Sequence, residues 1–277
     1  MKLLRVGAPG AEKPAILAAD GSIRDLSATV HDFDAATLSP GGLERLAQLD
    51  PMSLPVAAPG RIGPCVPRPL NFICIGLNYA DHAAETGAAI PKEPIVFLKS
   101  LGAFCGPNDD VHIPRGSTKT DWEVELCIVI GSRASYVSEA GAMDHVAGYC
   151  IVNDVSEREY QIERGGTWDK GKGCDTFGPT GPWLVTKDEV SDPQKLAMFL
   201  DVDGKRMQTG STATMIFGVA KLVSYVSHFM TLHPGDLIST GTPPGVGLGM
   251  KPPVYLHAGQ TMRLGIAGLG EQTQRVR

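Results

Sequence analysis

The stretch Asp121-Trp-Glu-Val-Glu-Leu-Cys-Ile-Val-Ile130 predicts an apolar strand in the middle of a sheet. Successive side chains of a strand point to opposite faces, so Glu123 and Glu125 share one face with Cys127 and Val129. The apolar part of that face indicates that other parts of the chain cover it. Two buried carboxylates repel each other unless a cation or protons neutralise them. The stretch therefore favours a cation site, with a solvated acidic strand edge as the alternative.

A third carboxylate follows the next apolar run along the chain. Residues 147–152 predict a strand, and Asp154 comes directly after it, where the strand gives way to a predicted helix. No histidine or cysteine lies at comparable spacing, and oxygen ligands favour Mg²⁺ or Mn²⁺ over zinc, with Ca²⁺ as a substitute. Glu123, Glu125 and Asp154 are therefore the predicted metal ligands.

Composition limits the class of protein. The chain has 277 residues, of which 43% are hydrophobic and 20% charged, enough for a large core in one domain or two. Its 33 glycines and 21 prolines, with few aromatic residues, predict a loop-rich, mostly β fold of the α+β class. The net charge of −5 argues against a nucleic-acid partner.

The proline-rich run at residues 59–69 predicts a boundary between a small N-terminal domain, residues 1–66, and a main domain, residues 67–277. No run approaches the length of a membrane span, and the first residues do not form a cleavable leader, so we expect a cytoplasmic protein without a membrane partner. The six cysteines form no Cys-x-x-Cys pair, which favours a reducing compartment and a packing role.

Local patterns predict the helices. Residues 42–49 and 81–86 predict short helices, the second ended by Gly87. Ser156-x-x-Glu159 resembles a capping box and predicts a helix that ends at Gly165-Gly166. Apolar residues at helical spacing predict a long amphipathic helix over residues 212–230.

Three further patterns carry chemistry. On a helix, His82 and Glu85 would share one face, so the carboxylate could orient the imidazole and the pair could activate water; a surface histidine is the alternative. Lys170 and Lys172 lie among glycines, where an ammonium could reach a developing anion or remain in solvent. The glycine-rich stretch 239–247 could hold a carboxylate or phosphate, but no helix pattern follows it, so it is not a nucleotide-binding loop.

Taken in order, five segments resemble the fumarylacetoacetate hydrolase family. They are Gly76-Leu-Asn-Tyr-Ala-Asp-His82, Phe97-Leu-Lys-Ser100, the Glu-x-Glu strand with Asp154, Lys172-Gly-Cys-Asp-Thr-Phe-Gly-Pro179 and Thr240-Gly-Thr-Pro-Pro-Gly-Val-Gly247. The stretch Glu163-Arg-Gly-Gly-Thr-Trp-Asp-Lys-Gly-Lys172 is most similar to members described as 2,4-diketo-3-deoxy-sugar-acid hydrolases or ureidoglycolate lyases.

This resemblance implies a mixed β-roll preceded by a small N-terminal α/β domain, a homodimer, and one Mg²⁺ or Mn²⁺ on Glu123, Glu125 and Asp154. It implies that His82 and Glu85 activate water and that Lys172 is catalytic. It also implies a set of substrate-binding residues, namely Gln161, Thr242, Lys99 and Tyr79.

The implied activity is metal-dependent hydrolysis of a carbon–carbon bond in a 2,4-diketo acid, such as an acylpyruvate or a diketo-deoxy derivative of fuconate or rhamnonate, to give pyruvate and a second acid. The same metal chemistry serves oxaloacetate decarboxylases, hydroxymuconate-type isomerases and ureidoglycolate lyases, so these stay open as alternatives. A metal-stabilised binding or scaffold protein is the non-enzymatic alternative.

Overall fold

A computed structural model describes the backbone of residues 1–277 and every side chain except that of Thr86. The chain forms strands β1 to β16, which are Lys2–Val6, Lys13–Leu17, Ile23–Asp25, Phe72–Gly76, Ile95–Leu98, Phe104–Cys105, Thr120–Asp121, Val124–Ile130, Val146–Asn153, Ser156–Glu157, Gly178–Thr186, Ala197–Val202, Lys205–Ser211, Leu237–Ser239, Thr261–Ile266 and Gly270–Arg275. Its α-helices α1 to α5 are Ala35–Leu38, Pro40–Ala47, Ala80–Thr86, Asp169–Lys172 and Val219–Ser227.

Most strands join one large mixed sheet. Its order is β3-β2-β1-β11-β9-β8-β14-β4-β5, with β6 beside β11. The pairs β14–β4 and β11–β6 are parallel, and the other pairs of this sheet are antiparallel. A four-stranded sheet, β13-β12-β15-β16, packs on one face of it, and β7 and β10 form a separate short pair. These sheets confirm the predicted mostly β, α+β class.

Strand β8 lies inside the large sheet, and its side chains separate two apolar cores. Val124 and Leu126 belong to the core shared with the four-stranded sheet, whereas Cys127 and Val129 belong to the core shared with the N-terminal segment. The predicted alternation of faces is therefore confirmed. All six cysteines are free, and four of them are buried, in agreement with a packing role.

The N-terminal segment continues the large sheet. Strand β1 pairs with β11 through Leu3 and Leu184, and β2 and β3 extend the sheet beyond it. The Arg5 guanidinium also donates to Asp32, 2.9 Å away. The division at residue 66 stays a prediction.

The predicted helix over residues 212–230 is wrong in its first half. A single 3-10 turn covers Thr212–Thr214, and α5 begins only at Val219. The reason lies in Asn78, whose carboxamide accepts a bond from the Phe217 N–H at 2.9 Å and donates one to the Phe217 carbonyl at 3.1 Å. These contacts hold the chain extended before α5.

The predicted helix that begins at Ser156 is also wrong. Ser156 lies in β10, which pairs with β7, and its hydroxyl donates to the Asp154 carbonyl rather than capping a helix. One π-helical turn, Glu159–Glu163, follows. In contrast, α3 and its left-handed end at Gly87 confirm the prediction for that segment. Within the described part of the chain, no helix combines the length and apolarity that a membrane span requires.

We expect Asn78→Ala to lower the free energy of unfolding by about 2–4 kcal/mol, because it leaves buried backbone groups without partners. Asn78 is fully buried, and its carboxamide also donates to the Thr240 carbonyl at 2.8 Å. Urea unfolding measures the effect. The control is Asn108→Ala, which removes one bond at an exposed site. Equal losses in the two variants would contradict the prediction.

Candidate active site

A cavity of about 230 Å³ opens where β4 and β14 end and β8 begins. Helix α3, the π-helical turn and α4 close its sides. The lining residues are Ile75, Gly76, Leu77, His82, Ala88, Phe97, Glu123, Glu125, Arg158, Gln161, Ile162, Trp168, Lys172, Gly241, Thr242, Val246 and Leu248. Most of the predicted site residues therefore meet in one place.

Strand register brings the three predicted ligands together. Strands β8 and β9 are antiparallel with Val124 opposite Asn153, so Glu123 lies across from Asp154. The Asp154 N–H donates to the Glu123 carbonyl at 2.9 Å and closes this end of the ladder. One carboxylate oxygen from each of Glu123, Glu125 and Asp154 lies within 4.8 Å of the others, and all three residues are buried. We call this group the carboxylate cluster.

Glu125 is fixed by the strand on its other side. Its Oε2 accepts bonds from the Ser239 hydroxyl at 2.6 Å and from the Gly241 N–H at 2.9 Å. Burial, with Asp154 and Glu123 close by, nevertheless raises the pKa of the Glu125 carboxyl well above its usual value. The repulsion from its two acidic neighbours is what a bound cation would relieve.

Basic side chains neutralise the other two members of the cluster. The Lys172 ammonium lies 2.7 Å from Glu123 and 2.8 Å from Asp154, and the Lys99 ammonium donates to the second oxygen of Asp154. Burial alone would raise the pKa of Glu123, but Lys172 and Arg158 together lower it to about 2. Glu123 is therefore ionised at neutral pH.

The cluster fits a hard divalent ion. Its donors are carboxylate oxygens from three residues, and they converge from two strands within a buried space. Mg²⁺ and Mn²⁺ favour such donors, whereas zinc sites in proteins usually include histidine or cysteine. The structure thus brings together the residues that the sequence predicted as ligands.

His82 and Glu85 form a contact on α3. The His82 Nδ1 lies 3.2 Å from Glu85 Oε2, as the three-residue spacing predicts. Glu85 also accepts from the Gly245 N–H, at 3.1 and 3.2 Å for its two oxygens. His82 is 8% exposed and lines the cavity, so it is not the surface histidine considered as the alternative.

The glycine-rich stretch 239–247 binds carboxylates of the protein itself. Besides holding Glu125 and Glu85, its backbone donates to Asp121 from the Gly247 N–H at 2.7 Å. Its Thr242 hydroxyl lines the cavity but donates to the Val124 carbonyl at 2.9 Å. Carboxylates of the protein thus use three N–H groups of the stretch that the sequence predicted could hold a carboxylate or phosphate.

Among the other predicted substrate-binding residues, only Gln161 lines the cavity. Its Oε1 accepts from Arg158 at 3.0 Å, while its Nε2 makes no hydrogen bond to a described residue. Tyr79 is fully buried outside the cavity, with its hydroxyl 3.3 Å from the Met198 sulfur. Lys99 lies behind Asp154, where its ammonium also donates to the Val155 carbonyl at 3.1 Å.

Sequence reasoning missed Arg158. This buried guanidinium lies 2.8 Å from Asp121 and 2.7 Å from Glu123, and it orients Gln161. Burial opposes its charge, but Asp121 and Glu123 outweigh that effect and raise its pKa. The local pattern gave no signal, because an arginine in the first turn of a predicted helix is usually solvated.

Close packing positions Lys172. A Cβ atom on the preceding Gly171 would lie 2.4 Å from the Glu157 carbonyl oxygen and 2.6 Å from the backbone nitrogen of Gln161. Only glycine therefore lets α4 approach the π-helical turn this closely, and the approach brings the Lys172 ammonium to the carboxylate cluster.

Glu123, Glu125 and His82 line one cavity of a β-rich fold, an arrangement that fits a metal-dependent enzyme. The sequence model described as fumarylacetoacetate (FAA) hydrolase C-terminal matches residues 71–277. The chain belongs to the fumarylacetoacetate hydrolase family.

Similar proteins agree with this family. A provisionally named hydrolase of Burkholderia multivorans is 66% identical over 100% of this chain and 99% of its own length. A fumarylacetoacetate hydrolase structure from Exiguobacterium antarcticum is 34% identical, with a TM-score of 0.89 over 100% of this chain and 99% of that one.

Two further structures have different activities in their names. One is maleylpyruvate hydrolase from Sphingobium sp. SYK-6 in complex with manganese(II) and pyruvate, 27% identical with a TM-score of 0.81. The other is 5-carboxymethyl-2-hydroxymuconate delta-isomerase from Mycobacterium smegmatis, 30% identical with a TM-score of 0.77. Each match covers 100% of this chain and 98% of the other. These similarities support an enzyme.

We expect Mg²⁺ or Mn²⁺ to bind more tightly as pH rises and to release protons on binding, because Glu125, whose pKa is raised, must ionise before it can ligate. Calorimetric titration in buffers of different ionisation enthalpy measures this release. Glu125→Gln should remove both the release and most of the affinity. The exposed Glu271→Gln should behave as the wild type. Affinity that does not change with pH would contradict the prediction.

Proposed function

We propose that this chain is a divalent-metal-dependent hydrolase that cleaves a carbon–carbon bond in a 2,4-diketo acid of the acylpyruvate type, with pyruvate and a second acid as products. The observation that carries the proposal is that Glu123 and Glu125 of the carboxylate cluster line the same cavity as His82, which contacts Glu85. The first suits a metal-held keto acid, and the second suits activation of water.

Glu123, Glu125 and Asp154 would hold Mg²⁺ or Mn²⁺. When bound, such an ion acts as a Lewis acid toward the carboxylate and keto oxygens of a 2-oxo acid. The manganese(II) and pyruvate in the maleylpyruvate hydrolase structure support this assignment, because pyruvate is a product of the proposed reaction.

His82 is the proposed general base. If its Nδ1–H donates to Glu85, the lone pair of Nε2 can take a proton from water that attacks the C4 carbonyl. The water oxygen then forms a bond to C4, and the C3–C4 bond breaks. Its electron pair passes to C3, which takes up a proton to complete the pyruvate product.

Lys172 and Gln161 are the proposed donors to the negative oxygen that develops at C4. The Lys172 ammonium is 2% exposed and keeps its proton, because Asp154 and Glu123 outweigh burial and raise its pKa. The Gln161 Nε2 provides an amide donor on the same cavity. Donors fixed before the reaction stabilise such an oxyanion without reorganisation.

Other reactions of this metal chemistry remain as second candidates. Similarity to the delta-isomerase supports an isomerase as the second candidate. Hydrolysis requires an activated water molecule, whereas isomerisation only moves a proton, so the His82–Glu85 pair favours hydrolysis. The predicted homodimer stays a prediction, which sedimentation analysis would test.

We expect His82→Ala to reduce turnover of acylpyruvates by about 10²-fold or more while Mn²⁺ still binds, because it removes the general base and no proposed ligand. Glu123→Gln should lose turnover and Mn²⁺ together. Pyruvate release measures the first effect and calorimetry the second.

His112→Ala is the control, because this histidine is exposed and does not line the cavity. Full turnover by His82→Ala would remove His82 from the proposed mechanism. Full turnover by exhaustively chelated wild-type protein would reject the metal. A panel of acylpyruvates, oxaloacetate, ureidoglycolate and hydroxymuconate-type acids, all without turnover, would favour the scaffold.

A further inference from the structure

Leu77 lines the cavity in a strained backbone conformation. Its φ angle is +48°, in the left-handed region that glycine, asparagine and aspartate tolerate better than leucine. Four non-glycine residues have positive φ, and Leu77 is the only one of these that lines the cavity. Strain that persists beside a binding site points to a function for the side chain that carries it.

Other apolar side chains line the same cavity as Leu77. Trp168 lies over Gly76, where an added Cβ atom would be 2.2 Å from the indole Cζ3. The Phe97 ring packs edge-on against the same indole at 5.3 Å between centroids. Ile162 also lines the cavity and is 52% exposed, so a bound molecule could cover it. We call Leu77, Ile162 and Trp168 the apolar wall.

Most polar side chains of the cavity are engaged with protein partners, and the Gln161 Nε2 is already assigned to the oxyanion at C4. Arg158 is paired with Asp121 and Glu123, and Lys172 lies within the carboxylate cluster. The Thr242 hydroxyl donates to a backbone carbonyl and accepts from Gln208 at 2.8 Å. A tail with several hydroxyl groups would have to break these bonds or lose its hydrogen bonds to water. A tail that ends in a carboxylate would meet a similar cost.

We propose that this site selects 2,4-diketo acids with an apolar acyl tail, alkyl or aryl, over sugar-acid derivatives, and that Leu77 is a specificity-determining residue for that tail. The inference rests on the proposed function and narrows its substrate class. It reverses the preference for diketo-deoxy sugar acids that the stretch from Glu163 to Lys172 suggested.

The first test measures kcat/KM of the Mn²⁺-loaded wild type with acetyl-, butanoyl-, hexanoyl- and benzoylpyruvate, fumarylpyruvate and 2,4-diketo-3-deoxyrhamnonate. We expect kcat/KM to rise about fourfold per methylene along the alkyl series until the wall is covered. The kcat/KM for the sugar-acid and fumaryl substrates should be about 10²-fold or more below that for hexanoylpyruvate. No turnover of any of these diketo acids would reject the proposed function itself.

Turnover of the sugar-acid or fumaryl substrate at or above the rate of hexanoylpyruvate would overturn the inference and leave the hydrolase intact. A kcat/KM that does not change along the alkyl series would also overturn the inference, because a longer tail would then gain nothing from contact with the apolar wall.

The second test replaces Leu77 with asparagine, which has a similar size, tolerates the left-handed conformation and is polar. Leu77→Asn should lower the preference for hexanoyl- over acetylpyruvate by about tenfold, with acetylpyruvate turnover within about threefold of the wild type. Tyr136→Asn is the matched control, because Tyr136 also has positive φ, at +53°, but is 75% exposed and outside the cavity.

Ile162→Asn is a second variant, at an exposed position where folding should tolerate the change. Its preference for hexanoyl- over acetylpyruvate should also fall. An unchanged preference in both variants would overturn the role of the apolar wall. An equal loss with every substrate in Leu77→Asn would show that Leu77 supports the fold rather than selects the tail, provided that melting temperature falls in parallel.

Discussion

The antiparallel register of β8 and β9 is the constraint on which the site depends. It places Glu123 across from Asp154, and the strand period places Glu125 on the same side as Glu123. Carboxylates gathered in a buried space need compensating charge, and Lys172, Lys99 and Arg158 supply it. A shift of the β8 register by one residue would point these acids into the apolar core shared with the four-stranded sheet. The strand pairing that builds the sheet therefore also builds the site.

The segment after β14 organises the cavity by binding acidic side chains from elsewhere in the chain. Its N–H groups hold Glu125 of β8, Glu85 of α3 and Asp121 of β7. Three elements distant in sequence are thereby fixed to one loop. The helix that carries His82 is consequently connected to the strand that carries the carboxylate cluster, so the proposed base and the proposed metal site share one support.

The sequence predicted correctly those features of the structure that depend only on residues close together in the chain. The alternating faces of residues 121–130 and the short helix ended by Gly87 required only strand period and backbone preference. The helix over residues 212–230 failed because Asn78, far away in sequence, binds Phe217. Arg158 and the bonding of the glycine-rich stretch escaped prediction for the same reason, since their partners are set by strand order. The residues themselves predicted Asp154 as a ligand beside the two glutamates, and the pairing of β8 with β9 is what brings the three together.

The pairing of β1 with β11 gives the first residues of the chain a role in the main sheet. Leu3 and Leu26 pack with Leu184, Cys127 and Val129 in one core, on the side of β8 that also bears the glutamates. A fragment cut at residue 71, where the family match begins, would lack this cover. Its β11 would then be an edge strand with unpaired backbone N–H and C=O groups, which can pair with strands of other chains and cause aggregation. Residues 1–277, rather than the part that matches the family, are accordingly the sensible unit to express and crystallise.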